Sequence, residues 1–211
     1  MIRAPAGRSL TEDSAISERE GEWKLTSAGP ENTEAIGVFA GARLRPGDLL
    51  LLSGTLGTGK TCFARGLARG LDVSDPVASP TFALIQEYRR FDVSSGTPQR
   101  RRERPGFAHA DLYRIASGAD LAELGLEEYL DGRWILAVEW AERFPTLWPT
   151  TRLEITLADM GGDHRELRFS GRGADWESRL RDWKATLGNN PALAGRLSGF
   201  VAEDLAAPPT P

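Results

Sequence analysis

Lysine is scarce in this chain: Lys24, Lys60 and Lys184 stand against 23 arginines among 211 residues. Where arginine is so heavily preferred, a lysine kept inside a motif attracts attention. Cysteine is scarcer still. Cys62 is alone, which excludes a disulfide framework and a cysteine-based zinc site within the chain. No apolar run approaches the roughly 20 residues that a membrane helix needs, so no membrane contact is expected. The first residues carry Glu12, Asp13, Glu18 and Glu20 and no apolar stretch, which argues against a secretory signal and for a cytoplasmic protein. An excess of positive charge is also missing. The 26 basic and 30 acidic side chains leave a net charge of -4, whereas a protein built to coat nucleic acid is normally basic. What remains is ordinary globular composition, 40% apolar and 27% charged, enough for one domain with a core.

Along the chain, a helical pattern covers Glu31 to Leu44, with Ile36, Phe39, Ala40 and Leu44 near one face. Pro46-Gly47-Asp48 makes a turn, and Leu49–Leu52 is an unbroken apolar run that suits a strand covered on both faces. Gly54–Gly59 follows, then a helix with Phe63, Leu67 and Leu71 on one side. This strand–loop–helix order opens an α/β architecture. Further strands are expected at Thr81–Tyr88, Phe107–Leu112 and Trp134–Val138. A helix broken at Gly125 is expected over Ala119–Leu130. Arg152–Leu157 and Glu166–Phe169 alternate on either side of Gly161-Gly162, as a hairpin does. Trp176, Leu180, Trp183 and Leu187 share one face of a closing amphipathic helix.

The sharpest motif is Gly54-Thr55-Leu56-Gly57-Thr58-Gly59-Lys60-Thr61, a match to G-x-x-x-x-G-K-[ST]. It follows an apolar strand and opens a helix, which is the context the motif requires. Glycines let the backbone wrap a polyphosphate and turn successive N–H groups inward, and the helix adds its positive end. Thr55, Leu56, Gly57, Thr58, Gly59, Lys60 and Thr61 are therefore the expected nucleotide-binding residues. Lys60 is placed to reach the β- and γ-phosphates, and the hydroxyl of Thr61 to hold a magnesium ion.

Such a loop usually works with a carboxylate at the C-terminal end of a strand. Glu139 ends the run Ile135–Val138 and fits, although by spacing alone a surface glutamate after a strand fits equally. Asp111 ends the strand Phe107–Ala110; by pattern alone it reads more readily as a cap or turn aspartate. His109 reads first as a core histidine with a satisfied hydrogen bond.

Several stretches together resemble the TsaE (YjeE) family, the bacterial ATPases of tRNA threonylcarbamoyladenosine biosynthesis. They are Gly54–Thr61, Ser79-Pro80-Thr81-Phe82 with Tyr88, His109-Ala110-Asp111-Leu112-Tyr113-Arg114, Leu124–Tyr129 and Val138-Glu139-Trp140, over residues 30 to 170. The resemblance implies a P-loop NTPase fold, an α/β domain with a central mixed sheet, antiparallel hairpins and flanking helices. With the polarity of its two ends, the chain is expected to divide into a disordered leader (1–22), an ATPase domain (23–173), and an amphipathic helix with a flexible tail (174–211) that lies outside the resemblance. The resemblance also implies Mg2+-dependent ATP hydrolysis that turns over or resets a complex of TsaB and TsaD, with tRNA touched indirectly or weakly. Carried over by position, Lys60 and Thr61 match the nucleotide and magnesium ligands, and Glu139 the acid near the metal. Asp111 matches the aspartate that organises the metal-bound water or the γ-phosphate, Ser79–Phe82 a switch-like segment, and Trp140 a tryptophan beside the site. Asp111, Glu139 and Lys60 are thus the expected catalytic residues, and Thr61 and Glu139 the expected metal ligands. One departure stands out: Thr55 occupies a position where the family usually has aspartate.

The arginine-rich stretch Arg89–Arg104 looks longer than is usual in the family, and a charge run at a hairpin tip is normally solvated. A small-molecule kinase is the alternative reading; it calls for an acceptor pocket and an arginine-bearing lid. A non-catalytic nucleotide-binding adaptor is a third. A guanine-nucleotide switch is disfavoured, because the chain has no N-K-x-D segment.

Overall fold

The strand Leu49–Ser53 (β2) decides where the site goes. In the computed structural model, which describes residues 22–73, 75–80, 83–91, 103–190 and 195, it lies at the centre of a seven-stranded sheet. The other strands are β1 (Glu22–Ser27), β3 (Ile85–Phe91), β4 (Glu103–Asp111), β5 (Ile135–Glu139), β6 (Arg152–Asp159) and β7 (Arg165–Arg172). Their order is β1-β7-β6-β2-β5-β4-β3. The four inner strands β6, β2, β5 and β4 run parallel, and β7, β1 and β3 are antiparallel additions at the two sides. This is the mixed α/β sheet with antiparallel hairpins that the sequence predicts.

Helices α1 (Pro30–Gly41), α2 (Lys60–Gly70) and α4 (Ala174–Gly188) cover one face. The alternation of each strand sorts its side chains. Leu50, Leu52, Phe107, Ile135 and Ala137 enter the core under these helices, while Leu49, Leu51, Ala108, Ala110, Leu136 and Val138 enter the opposite one. That second core is roofed by α3 (Gly118–Ala122), the 3-10 turn Leu126–Tyr129 and the loops beside them. Helices α1 and α2 touch backbone to backbone: a Cβ at Gly66 would lie 2.2 Å from the Glu34 carbonyl oxygen.

The tryptophan stripe of α4 faces the sheet. Trp176, Trp183 and Leu187 are buried beside Trp23, Phe39 and Phe169. The helix is pinned by Arg179, 5% exposed, whose guanidinium donates to both carboxylate oxygens of Asp48 at 2.7 and 2.6 Å. Asp48 immediately precedes β2, so the last helix is fastened to the root of the strand that carries the glycine loop.

Some boundaries differ from expectation. Helix α1 ends at Gly41, and Leu44 still packs on its core. The strand expected from Thr81 begins at Ile85, because Leu84 adopts φ +64 and donates its N–H to the Pro80 carbonyl in a turn. Arg89 and Arg90 belong to β3 and Arg104 to β4, so the two hairpin strands reach further than the sequence suggested. Thr81, Phe82, Arg100, Arg101 and Arg102 lie outside the described residues, as do 1–21 and nearly all of the chain after Asn190. The helix expected over Ala119–Leu130 is two short pieces. Ser117 and Asp120 cap the first in a reciprocal box, and Gly125 (φ +64) separates it from the 3-10 turn. Strand β1 has no counterpart in the sequence reading, although Trp23, Leu25 and Ser27 alternate inward.

Candidate functional site

Parallel strands present their C-terminal ends on one side of a sheet, where ligands of open α/β folds bind. Here β2, β5 and β4 end together. Register pairs Leu52 with Glu139 and Glu139 with Asp111, which brings the two acids onto neighbouring strand ends next to the glycine loop. Period-2 alternation does the rest. His109 and Asp111 follow Phe107, and Glu139 follows Ile135 and Ala137, so all three point to the face that carries α2.

The loop itself is tightly built. Gly54 has φ +139, and a Cβ there would meet the Leu157 carbonyl oxygen at 2.3 Å, so no other residue fits without moving the backbone. Gly59, at φ +97, makes the left-handed entry into α2. The Lys60 ammonium donates to the carbonyls of Gly54 at 2.7 Å and Thr55 at 2.9 Å, and sits 3.8 Å from the Trp140 ring centre. Burial pulls its pKa below the ordinary lysine value, opposed by the charges of Glu139, Glu142 and Asp111. Trp140 can reach over the lysine because the chain turns at once after β5, with Trp140 at φ +63 and its N–H bonded to the Leu52 carbonyl at 3.0 Å.

The acids are organised by short hydrogen bonds. Glu139, only 2% exposed, accepts the Thr61 hydroxyl at 2.8 Å, and His109 Nε2 lies 2.9 Å from the same Oε1. Asp111 Oδ2 accepts the Ser79 hydroxyl at 2.7 Å, and its Oδ1 accepts the Tyr113 N–H at 2.9 Å. The turn role that pattern suggested for Asp111 is therefore real, and one carboxylate oxygen serves it while the other faces Ser79. Arg143 donates to the carbonyls of Leu112 and Tyr113, and Tyr113 packs on Trp140 with centroids 5.0 Å apart.

These groups enclose a cavity of about 430 Å³. Leu56, Gly57, Gly59, Lys60, Thr61, Asp111 and Glu139 line it, joined by Ser79, Tyr113 and Trp140. Two predicted loop residues stand apart. Thr55 contributes its carbonyl to Lys60 and to the Thr58 hydroxyl (2.9 Å), and Thr58 faces a smaller cavity of about 80 Å³ behind the loop. Sequence reasoning missed Glu142, whose carboxylate accepts the Gly54 N–H at 3.2 Å; nothing in its spacing marked it. It also missed the contact of His109 with Glu139, for which the two-residue step to Asp111 was an available signal.

The donor set suits magnesium and a polyphosphate. Magnesium is held by one or two carboxylates together with phosphate oxygens, not by an all-protein cage. Among the described residues no three His, Cys, Asp or Glu side chains gather as a metal cage, while a hydroxyl and two carboxylates meet at the loop's helix. Among the described residues, nothing beyond its two chain neighbours lies within 4 Å of a Cβ built on Gly57 (φ +82), so the loop mouth is open to an incoming group. Among the described residues no helix is long and apolar enough to cross a membrane.

The family model described as "Threonylcarbamoyl adenosine biosynthesis protein TsaE" matches residues 27–167. The chain is 37% identical over 156 residues to the tRNA threonylcarbamoyladenosine biosynthesis protein TsaE of Bacillus subtilis (strain 168), covering 74% of this chain and 90% of the relative. It is 31% identical over 144 residues to the TsaE protein of Treponema pallidum (strain Nichols), covering 68% of this chain and 97% of that one. Among solved structures, the crystal structure of YdiB from Bacillus subtilis superposes with a TM-score of 0.62 at 32% identity, over 78% of this chain and 95% of that one. Helix α4 lies beyond the family match, which ends within β7.

Proposed function

Because the chain belongs to the TsaE family, we propose that it serves tRNA threonylcarbamoyladenosine biosynthesis as a magnesium-dependent ATPase. Its hydrolysis turns over or resets a complex of TsaB and TsaD, and tRNA is engaged indirectly or weakly. The observation that carries this reading is the meeting of Lys60, Thr61, Asp111 and Glu139 in one cavity, with Thr61 bonded to Glu139 at 2.8 Å.

The residues divide the work as follows. The loop from Gly54 to Gly59 and the N-terminal end of α2 bind the phosphates through backbone N–H groups. Lys60 exchanges its carbonyl partners for phosphate oxygens and supplies the counter-charge. Thr61 and Glu139 would hold the magnesium ion, which would supply positive charge against the phosphoryl group being transferred. Asp111 orients the attacking water, with Ser79 and the Tyr113 N–H fixing its carboxylate. Trp140 and Tyr113, packed on each other, form one wall of the cavity.

The test is ATP turnover by the full chain mixed with TsaB and TsaD, beside a pull-down with and without ATP. Asp111→Asn is expected to bind ATP and fail to hydrolyse it, and Lys60→Ala to lose binding. Native turnover by Asp111→Asn in the full complex removes Asp111 from the mechanism. Transfer of phosphate from ATP to a metabolite, in place of water, returns the site to the kinase reading.

A further inference from the structure

His109 is fully buried, and its ring lies nearly parallel to that of Phe107, with centroids 6.4 Å apart and planes at 14°. It makes one polar contact, Nε2 to Glu139 Oε1 at 2.9 Å, and Nδ1 has no hydrogen-bond partner among the described residues. A carboxylate oxygen only accepts, so the ring hydrogen sits on Nε2. The opposite tautomer would strand a buried N–H and lose the bond to Glu139 as well.

Thr61 donates to the same oxygen at 2.8 Å. Two donors therefore converge on Oε1, one from β4 and one from α2. Among the described residues no protein hydrogen bond engages Oε2, and Glu139 lines the cavity. A glutamate terminus otherwise rotates broadly about its last torsion. Clamping one oxygen from two directions removes that freedom and leaves the second oxygen for the cavity. Partners of metal-ligating side chains act in this way, and their loss typically costs about 10–100-fold in metal affinity or activity.

We infer that His109 is a positioning residue: its Nε2–H holds Oε1 of Glu139 so that Oε2 is presented to the divalent cation that accompanies the nucleotide. The inference rests on the proposed nucleotide role of the cavity. It differs from the core-histidine reading, in which the hydrogen bond only satisfies the buried ring and the magnesium effect on nucleotide binding does not depend on it.

Two measurements on the full chain decide it. The first is the nitrogen-15 signature of the imidazole, which is simple to assign because the only other histidine is His164. The hydrogen is expected on Nε2; a hydrogen on Nδ1 overturns the inference. The second is titration with ADP in EDTA and again with magnesium, for the native chain and for His109→Phe, His109→Gln and His109→Asn. Phe keeps the ring and drops the donor. Gln places an amide N–H near the position of Nε2, and Asn falls short of it. The expected result is that magnesium tightens ADP binding about tenfold less in the Phe and Asn variants than in the native chain. The Gln variant should stay within about threefold of native in the same ratio. If the Phe variant does not fold, the contrast of Gln with Asn carries the same information. A native magnesium effect in Phe or Asn overturns the inference alone. A native chain that binds no nucleotide under either condition overturns the nucleotide role of the cavity and this inference with it.

Discussion

Replacing Glu139 in two ways separates its structural duty from its chemical one. Its Oε1 is the acceptor for the buried His109 N–H and for the Thr61 hydroxyl. Glutamine keeps an amide oxygen there and exchanges Oε2 for an NH2 group. Both hydrogen bonds survive, so the stability of Glu139→Gln is expected to stay within about 1 kcal/mol of native. Alanine removes the acceptor. The His109 N–H, with 0% exposure, is then stranded at a cost of about 1–3 kcal/mol, and the lost side-chain atoms leave space behind. A total of about 2–4 kcal/mol, at roughly 2–4 °C per kcal/mol for a chain of this length, lowers Tm by about 4–16 °C. Turnover should fall in both variants, by about 100-fold or more, since neither offers a carboxylate to the metal. Thermal unfolding and ATP hydrolysis with TsaB and TsaD read the two effects. A Glu139→Ala chain with native Tm refutes the buried hydrogen-bond argument. A Glu139→Gln chain with native turnover refutes the metal role.

Three further outcomes follow from the same geometry. Thr61→Ala removes the hydroxyl proposed to hold magnesium and one of the two donors on Glu139, so the magnesium concentration for half-maximal turnover should rise about tenfold; an unchanged midpoint discards the assignment. Gly66→Ala drives a Cβ to 2.2 Å from the Glu34 carbonyl oxygen, backbone against backbone, and urea unfolding should show a loss of about 2–3 kcal/mol. A loss below about 0.5 kcal/mol would mean that α1 and α2 part easily. The Tyr129 phenol is pushed up to about 12 by burial and by its hydrogen bond to Glu87. The folded chain then holds a proton that the unfolded chain releases near pH 10, so Tyr129 stabilises below that pH and its contribution is lost as pH rises toward 12. Ultraviolet titration should show a tyrosinate step near 12 that Tyr129→Phe abolishes.

The glycine loop was legible because its chemistry is local. Eight consecutive residues make up the motif, and the apolar run before it and helical period after it are visible in the chain order alone. The same holds for the α4 stripe, whose period survives without neighbours, although what Trp176 and Trp183 pack against does not appear in their spacing. Strand β1 escaped because six residues of alternation beside a polar leader make a weak signal, and its partner β7 lies at the far end of the chain. The start of β3 was misplaced because the turn at Leu84 is imposed by bonding to Pro80, not by a glycine.

Asp111 and Glu139 divide the two kinds of information most clearly. Each ends an apolar run, and residue type and position made each a candidate. Neither spacing nor composition says that they are neighbours. That follows from the parallel register of β4 on β5, which pairs Asp111 with Glu139 and turns both toward α2. Local sequence thus settled the glycine loop and the helix behind it, since contiguous backbone and short periodicities suffice for them. Tertiary structure alone brought the acids, His109 and Ser79 to that loop, because strand order and register are set by burying two faces of one sheet at once.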